Sequence, residues 1–292
     1  LESAKIFPRS NFKWHKPPKV KLPQKPKAKA KKADVAPVED KAGDAPRFPM
    51  FYTAPRPLEA ARHAKTTLSD DIGTGFSGNA NAIPLNIVEF AVAARHYPLV
   101  FSNSAPFLPV AITGLRTGTN AFLDADGKRW ARGCYVPAYV RRYPFILMEN
   151  TEQQQFILCV DEESGFLGED GERRLFDDDA KPTEITNQAL KFCRAYHAQF
   201  EATQKFVEEL SERDLLTDNS TEIRLSDDRK IQMQGYKVID REKFENLPDA
   251  VFLEWRAKNW LPIAYAHMTS LSNWPAVLQR AADRAAEAQD AG

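Results

Sequence analysis

The stretch PFILMENTEQQQFILCVDEES, residues 144–164, decides how this chain folds. Two apolar runs, Phe145 to Met148 and Phe156 to Val160, flank the polar tetrapeptide TEQQ at 151–154. Each run is shorter than an ordinary helix and rich in β-forming residues, so both read as strands. A connection this short joins antiparallel neighbours, because a parallel pair needs a crossover of a dozen residues or more. The predicted unit is therefore a hairpin.

The same pattern recurs on both sides. Upstream, LVFS (99–102) and LPVAITGL (108–115) are short β-rich runs, and NAFLDADGKRWARGCYV (120–136) reads as a hairpin turning at Asp126-Gly127. Downstream, GFLGEDGERRLF (165–176) repeats that logic with Asp170-Gly171 in the turn, and EIRL (222–225) with IQMQGYKVID (231–240) makes another pair. In that last strand Ile231, Met233 and Gly235 share one face, and Gln232 and Gln234 the other.

Helices interrupt the strands. PLNIVEFAVAARHYP (84–98) reads as a helix with Pro84 in its first turn and Pro98 at its end. From about Thr183, Ile185, Ala189, Phe192, Tyr196, Phe200, Thr203, Val207 and Leu210 recur at steps of three and four, a stripe suited to covering a sheet. The C-terminus is helical through REKFENL, DAVFLEWRAKNW, LPIAYAHMTSL and WPAVLQRAADRAAEA. The expected fold is α+β: a largely antiparallel sheet from several hairpins, packed against helices, with a C-terminal helical segment.

Composition supports a packed domain. Hydrophobic residues make up 43% of the 292 and aromatics 11%, enough to fill a core. No run reaches the 18 or so apolar residues of a membrane helix, and no apolar stretch with a small-residue cleavage site marks a secretory signal. The expected location is the cytoplasm, with the start at Leu1 leaving the true N-terminus open. The formal net charge of zero hides an asymmetry, since residues 1–32 hold ten lysines and Arg9 against one acid, Glu2. The rest of the chain is correspondingly acidic. Residues 1–47, rich in lysine, proline and alanine, are expected to form a disordered arm, followed by one α+β domain over 48–292. The arm's lysines could neutralise nucleic-acid phosphates, although Phe7, Phe12 and Trp14, its stacking side chains, all lie upstream of the densest lysines.

Several patterns lack the context that their chemistry requires. Gly73, Gly75 and Gly78 spell G-x-G-x-x-G, but no hydrophobic strand precedes them and Asn79, Asn81 and Pro84 prolong a loop where a helix should open. Asp124 and Asp126 resemble the opening of a calcium loop that lacks its later ligands. Cys134, Cys159 and Cys193 are odd in number and far apart, which suits reduced, buried thiols better than a metal site. His96 and His197 each stand alone, and no zinc-binding histidine spacing, nucleophile elbow or phosphate loop is present. No cofactor and no metal are expected.

Four stretches together carry a resemblance: PLNIVEFAVAARHYPLVFS, FLPVAITGLRTGTNAFLDADGKRWARGCYVPAYVRRYPFIL, FCRAYHAQFEATQKFVEELSERDLL and GYKVIDREKFENLPDAVFLEWRAKNWLPIAYAHMTSLSNWPAVL. They run in order from about residue 49 to 280 and resemble the bacterial SapC family, with YVPAYVRRYPF and AYAHMTSLSNW the most specific strings. RAKNWLP departs from it, a glycine being expected there and no proline. The resemblance implies an S-layer-related accessory protein, with another protein from the envelope or surface layer as partner. It implies no catalytic residue.

Within YVPAYVRRYPF, the adjacent Arg141 and Arg142 must point in different directions. One can lie over tyrosine faces or pair with a carboxylate, while the other reaches solvent or a ligand. Arginine among aromatics suits planar anions through bidentate hydrogen bonds and stacking, and it equally suits an internal contact that fixes the start of a strand. Tyr143 belongs to the same cluster. His267, three residues before Ser270, could carry protons with it or sit buried against the backbone. Arg141, Arg142, Tyr143 and His267 are the candidate ligand-binding set, the alternative being an uncharacterised enzyme or an anion or peptide binder.

Overall fold

A computed structural model describes residues 48–150, 155–224 and 230–290. The expected arm over residues 1–47 lies outside them. The strands are β1 (Pro55–Pro57), β2 (Thr67–Leu68), β3 (Ala82–Pro84), β4 (Leu99–Ser102), β5 (Pro109–Ile112), β6 (Phe145–Asn150), β7 (Gln155–Asp161), β8 (Leu167–Gly168), β9 (Leu216–Arg224) and β10 (Lys230–Ile239). The helices are α1 (Ala60–His63), α2 (Phe90–Ala93), α3 (Ala138–Arg141), α4 (Glu184–Glu212), α5 (Arg241–Glu245), α6 (Asp249–Ala257), α7 (Leu261–Ser270) and α8 (Trp274–Asp290). The strands form three sheets, ordered β1-β7-β6, β3-β5-β4-β10-β9 and β2-β8, with antiparallel pairing throughout. The fold is α+β, as its hairpins imply.

The hairpin at 144–164 is in place: Leu147 lies opposite Leu158, and Glu149 opposite Phe156. Directly opposed residues share a sheet face. Phe145, Leu158 and Val160 accordingly pack with Leu175 and Cys193, while Ile146 and Cys159 turn the other way, onto Tyr52 and Tyr143. Helix α4, at 29 residues about 44 Å long, connects the two main cores. Its first turns place Ile185, Ala189 and Cys193 against the three-stranded sheet β1-β7-β6, hereafter the small sheet. Farther along, Tyr196, Phe206, Val207 and Leu210 join the larger core built on β4, β5 and β10.

Other elements differ from their expected form, each for a physical reason. Pro84 ends β3 and opens no helix. The helical turn begins after Asn86, whose side chain and that of Glu89 form a reciprocal capping box, and Ile87–Glu89 is a 3₁₀ turn leading into α2. The segment around Asp126-Gly127 turns as expected, but its arms meet only at the Leu123–Trp130 bridge, with Asp124 Oδ1 accepting from the Lys128 and Arg129 amides. The Asp170-Gly171 segment does not pair with itself. Leu167–Gly168 pairs with β2, and Arg174 bridges to Thr67, so a long-range partner wins over the local hairpin. Strand β9 starts at Leu216, well before EIRL. A bulge between Met233 and Tyr236, at Gly235 with φ +81°, breaks the simple alternation of β10.

Two glycine-linked readings gain a cause. A Cβ on Gly73 or Gly75 would lie 2.8 Å from the Lys128 carbonyl oxygen or 2.9 Å from that of Gly127. The pattern therefore lets two loops approach closely. In RAKNWLP, Asn259 takes φ +57°, a conformation glycine adopts freely and asparagine tolerates, and Pro262 sits in the first turn of α7, where no helical N–H is lost. Among the described residues, no helix is long and apolar enough to cross a membrane.

Candidate functional site

The single turn of α3, after Pro137, sends the two arginines apart. Arg141 stays exposed: its Nε donates to the Val136 carbonyl at 3.0 Å, and its Nη2 to the Tyr135 hydroxyl at 3.1 Å. Tyr135 in turn donates to Glu89 Oε1 at 2.9 Å. Glu89 is buried and also accepts from the amides of Ala138 (2.7 Å) and Asn86 (2.9 Å), so it ties α3 to the capping box. Burial, and then Glu89, push the Tyr135 hydroxyl up to about 12.

Arg142 turns inward. Its guanidinium carbon lies 4.1 Å from the Tyr139 ring centroid, 4.5 Å from Tyr196 and 5.6 Å from Tyr52, and its buried Nε has no hydrogen-bond partner among the described residues. Burial opposes its charge, but the oxygens of Tyr52, Tyr196 and Tyr139 more than offset this and raise its pKa. Burial likewise raises all three phenols and pushes the neighbouring Cys193 thiol up to about 11, with Arg142 opposing each shift. A desolvated guanidinium over an aromatic face contributes about 2 kcal/mol. Arg142→Ala is therefore expected to cost about 2 to 3 kcal/mol of stability and Arg141→Ala less than about 1 kcal/mol. Urea denaturation of the two variants checks this, and equal losses would contradict the division of roles.

Tyr143 has a different partner. Its hydroxyl donates to Asp161 Oδ2 at 2.9 Å, and burial, followed by that carboxylate, raises its pKa. Asp161 is fully buried and also accepts from the amides of Thr53 (3.1 Å) and Ala54 (2.7 Å). The buried carboxylates of Asp161 and Glu89 are thus met by neutral donors, and the half-buried Arg142 by aromatic rings.

His267 stands elsewhere, on α7 against β4 and β10. The Ile239 amide donates to its Nε2 at 3.0 Å, and its ring lies 5.0 Å from that of Phe101. Its Nδ1 has no well-formed hydrogen bond among the described residues. Ser270 Oγ donates to the His267 carbonyl (2.6 Å) and accepts from the Leu99 amide (2.9 Å), so the hydroxyl is engaged with backbone and not with the imidazole. Burial holds His267 down at about 3, opposed weakly by the Leu99 backbone. From about pH 6.5 down to about 3 the unfolded chain binds a proton that the folded chain refuses. Stability therefore falls on acidification by up to about 1.4 kcal/mol per pH unit in that window. His267→Gln, which can still accept from Ile239, is expected to flatten this slope in denaturation curves at pH 7, 6 and 5, and an unchanged slope would assign the acid sensitivity elsewhere.

Arg142 and Tyr143 share the Tyr52 ring, Arg141 lies over Tyr135 and Phe192, and the contacts of His267 have no residue in common with any of these. Among the described residues no group of three His, Cys, Asp or Glu side chains could hold a metal. Sequence reasoning missed a third feature, a hollow of about 410 Å³ lined by Leu147, Gln155 and Phe156 on the hairpin and Arg194, His197, Ala198 and Glu201 on α4. Phe156 is 47% exposed and lies against His197, ring centroids 4.1 Å apart, with His197 Nε2 3.3 Å from Glu201. The signal was present as Arg194, His197, Ala198 and Glu201 at helical spacing, a stripe beside the apolar one.

These features define an α+β protein whose most chemically capable side chains are engaged internally and whose open hollow mixes aromatic and charged groups. The chain matches SapC over residues 58–277 and belongs to the SapC family. No curated protein and no solved structure matches it.

Proposed function

We propose that this SapC-family chain is an accessory protein that binds another protein, an envelope or surface-layer component of its bacterium, and that it works in the cytoplasm. The observation that supports this is the hollow between the β6–β7 hairpin and α4. An exposed phenylalanine, Phe156, lies on the half-buried ring of His197 between a cation, Arg194, and an anion, Glu201, a combination suited to capturing side chains of a partner. In this reading the lysines of residues 1–32 add electrostatic reach. The test is affinity capture from native lysate with the full chain as bait, beside a Phe156→Ala bait. Recovery of an envelope protein that drops about tenfold with Phe156→Ala supports the reading. Recovery of no protein by the wild-type bait overturns it.

One observation favours a second reading, a small-anion binder: the Arg142 Nε is buried without an acceptor among the described residues. A carboxylate or phosphate reaching it would supply one. Thermal-shift measurements with phosphate, 2-oxo acids and short peptides test this, since a ligand at a hundredfold excess over Kd adds about 2.7 kcal/mol. A shift that persists in Arg142→Ala, or the absence of any shift, removes this reading. His267 takes no part in it.

A further inference from the structure

The sheet β1-β7-β6 has two outer edges of unlike chemistry. The Leu158 carbonyl accepts from the Leu58 amide (2.8 Å) and the Glu162 amide donates to the Ala54 carbonyl (3.1 Å), so the even-numbered residues along β7 face β1. The Asp161 amide donates to the Pro144 carbonyl (3.0 Å), so the odd-numbered residues face β6. Backbone groups alternate sides along a strand. Pro55 and Pro57 therefore hold the outward positions of β1, and Phe145, Leu147 and Glu149 those of β6.

Proline has no N–H, so the outer edge of β1 carries no donor at either position. On β6, Phe145 is consumed: its amide donates to the Arg142 carbonyl (2.8 Å), and its carbonyl accepts from the Tyr52 hydroxyl (2.7 Å). The outward amides and carbonyls of Leu147 and Glu149 have no partner among the described residues. Glu149 is exposed, and Leu147 also lines the hollow. Arg194, at the same hollow, has no ion pair among the described residues, whereas Glu201 faces His197.

We propose that β6 accepts an added strand. An extended, proline-free segment of a partner protein pairs with the backbone of Leu147 and Glu149. It places an apolar side chain in the hollow beside Leu147 and Phe156, and a carboxylate two residues away, on the same face, at Arg194. A helix could not use this edge, because its own backbone groups are already paired. The proposal deepens the protein-binding reading of the same hollow and rests on it.

The test uses the full chain and a phage-displayed library of random octapeptides, with selected sequences synthesised and measured by fluorescence anisotropy. The discriminating variant is Glu149→Pro. It removes an amide that β7 does not use, at an exposed side chain, so the melting temperature should hold within about 3 °C. Selected peptides are expected to carry an apolar residue two positions from an acid, to bind Glu149→Pro and Arg194→Glu at least about tenfold more weakly, and to slow hydrogen exchange at the Leu147 and Glu149 amides. If Glu149→Pro does not fold, Arg194→Glu and the exchange pattern carry the test. Selection of no peptide, equal binding to all three proteins, or protection confined to another segment overturns the proposal. So does a wild-type dimer that Glu149→Pro converts to monomer, which would give the edge to a second copy. A protein captured from lysate equally by wild type and both variants would leave protein binding standing and remove strand addition alone.

Discussion

Replacing Asp161 by alanine is expected to lower stability by about 3 kcal/mol, a drop in melting temperature of about 6 to 12 °C for a domain of this size. The carboxylate is fully buried and accepts from the Thr53 amide, the Ala54 amide and the Tyr143 hydroxyl. Removing it strands these donors and the Thr53 hydroxyl, which lies 3.4 Å from Oδ1, each costing about 1 to 3 kcal/mol where water cannot replace the lost acceptor. Thr53 is exposed and can recover water, which holds the total toward the lower end. Asp161→Asn separates shape from acceptor demand, since one of its two acceptor oxygens becomes an amide NH2 that must face a donor. Calorimetry on both variants decides the matter, and a loss under about 1 kcal/mol in Asp161→Ala would mean that this hydrogen-bond set does not fix the start of the small sheet.

Trp255→Ala is expected to cost about 4 kcal/mol, the usual range for truncating a fully buried aromatic. Trp255 has no exposed surface and packs with ring centroids 5.8 Å from Phe206, 6.0 Å from Phe244 and 5.8 Å from Trp260. Four aromatics from α4, α5, α6 and the connection into α7 thus meet at one point, and alanine leaves a void that none of them can fill without moving a helix. Trp255→Phe should cost less than half as much, because most of the ring contacts survive. Urea midpoints of the two variants give the comparison, and equal losses would show that the indole's hydrogen bond to Glu209, and not packing, carries the effect.

Much of this architecture was legible in the sequence wherever a local signal and the long-range partner agreed. The β6–β7 hairpin, the α4 stripe and the C-terminal helices are of that kind. Each element's own periodicity names its face, and nothing elsewhere in the chain competes for it. Legibility failed where a distant segment won. Residues 165–176 carry good hairpin chemistry, yet Thr67 and Leu68 capture Leu167 and Gly168, and no local pattern announces a partner about a hundred residues away. Pro84 misled for a subtler reason: it fits the first turn of a helix and also the end of a strand, and the Asn86–Glu89 capping box two residues later decides between them. At the candidate site, the sequence carried the divergence of Arg141 and Arg142 but not the separation of His267 from both, since helix α7 sits on the other sheet. The hollow went unread because an exposed phenylalanine in an alternating strand looks like core until its helix neighbour is placed.

The prolines at 55 and 57 also govern what happens when molecules crowd. Polymerisation by sheet extension needs a fully pairing edge at both ends of every subunit, and here the outer edge of β1 offers carbonyl acceptors at Pro55 and Pro57 but no donor. Two copies meeting through the remaining side would close on each other about a two-fold axis and stop, because neither offers a place for a third. The small sheet is thereby guarded against fibre growth while one side stays free for use.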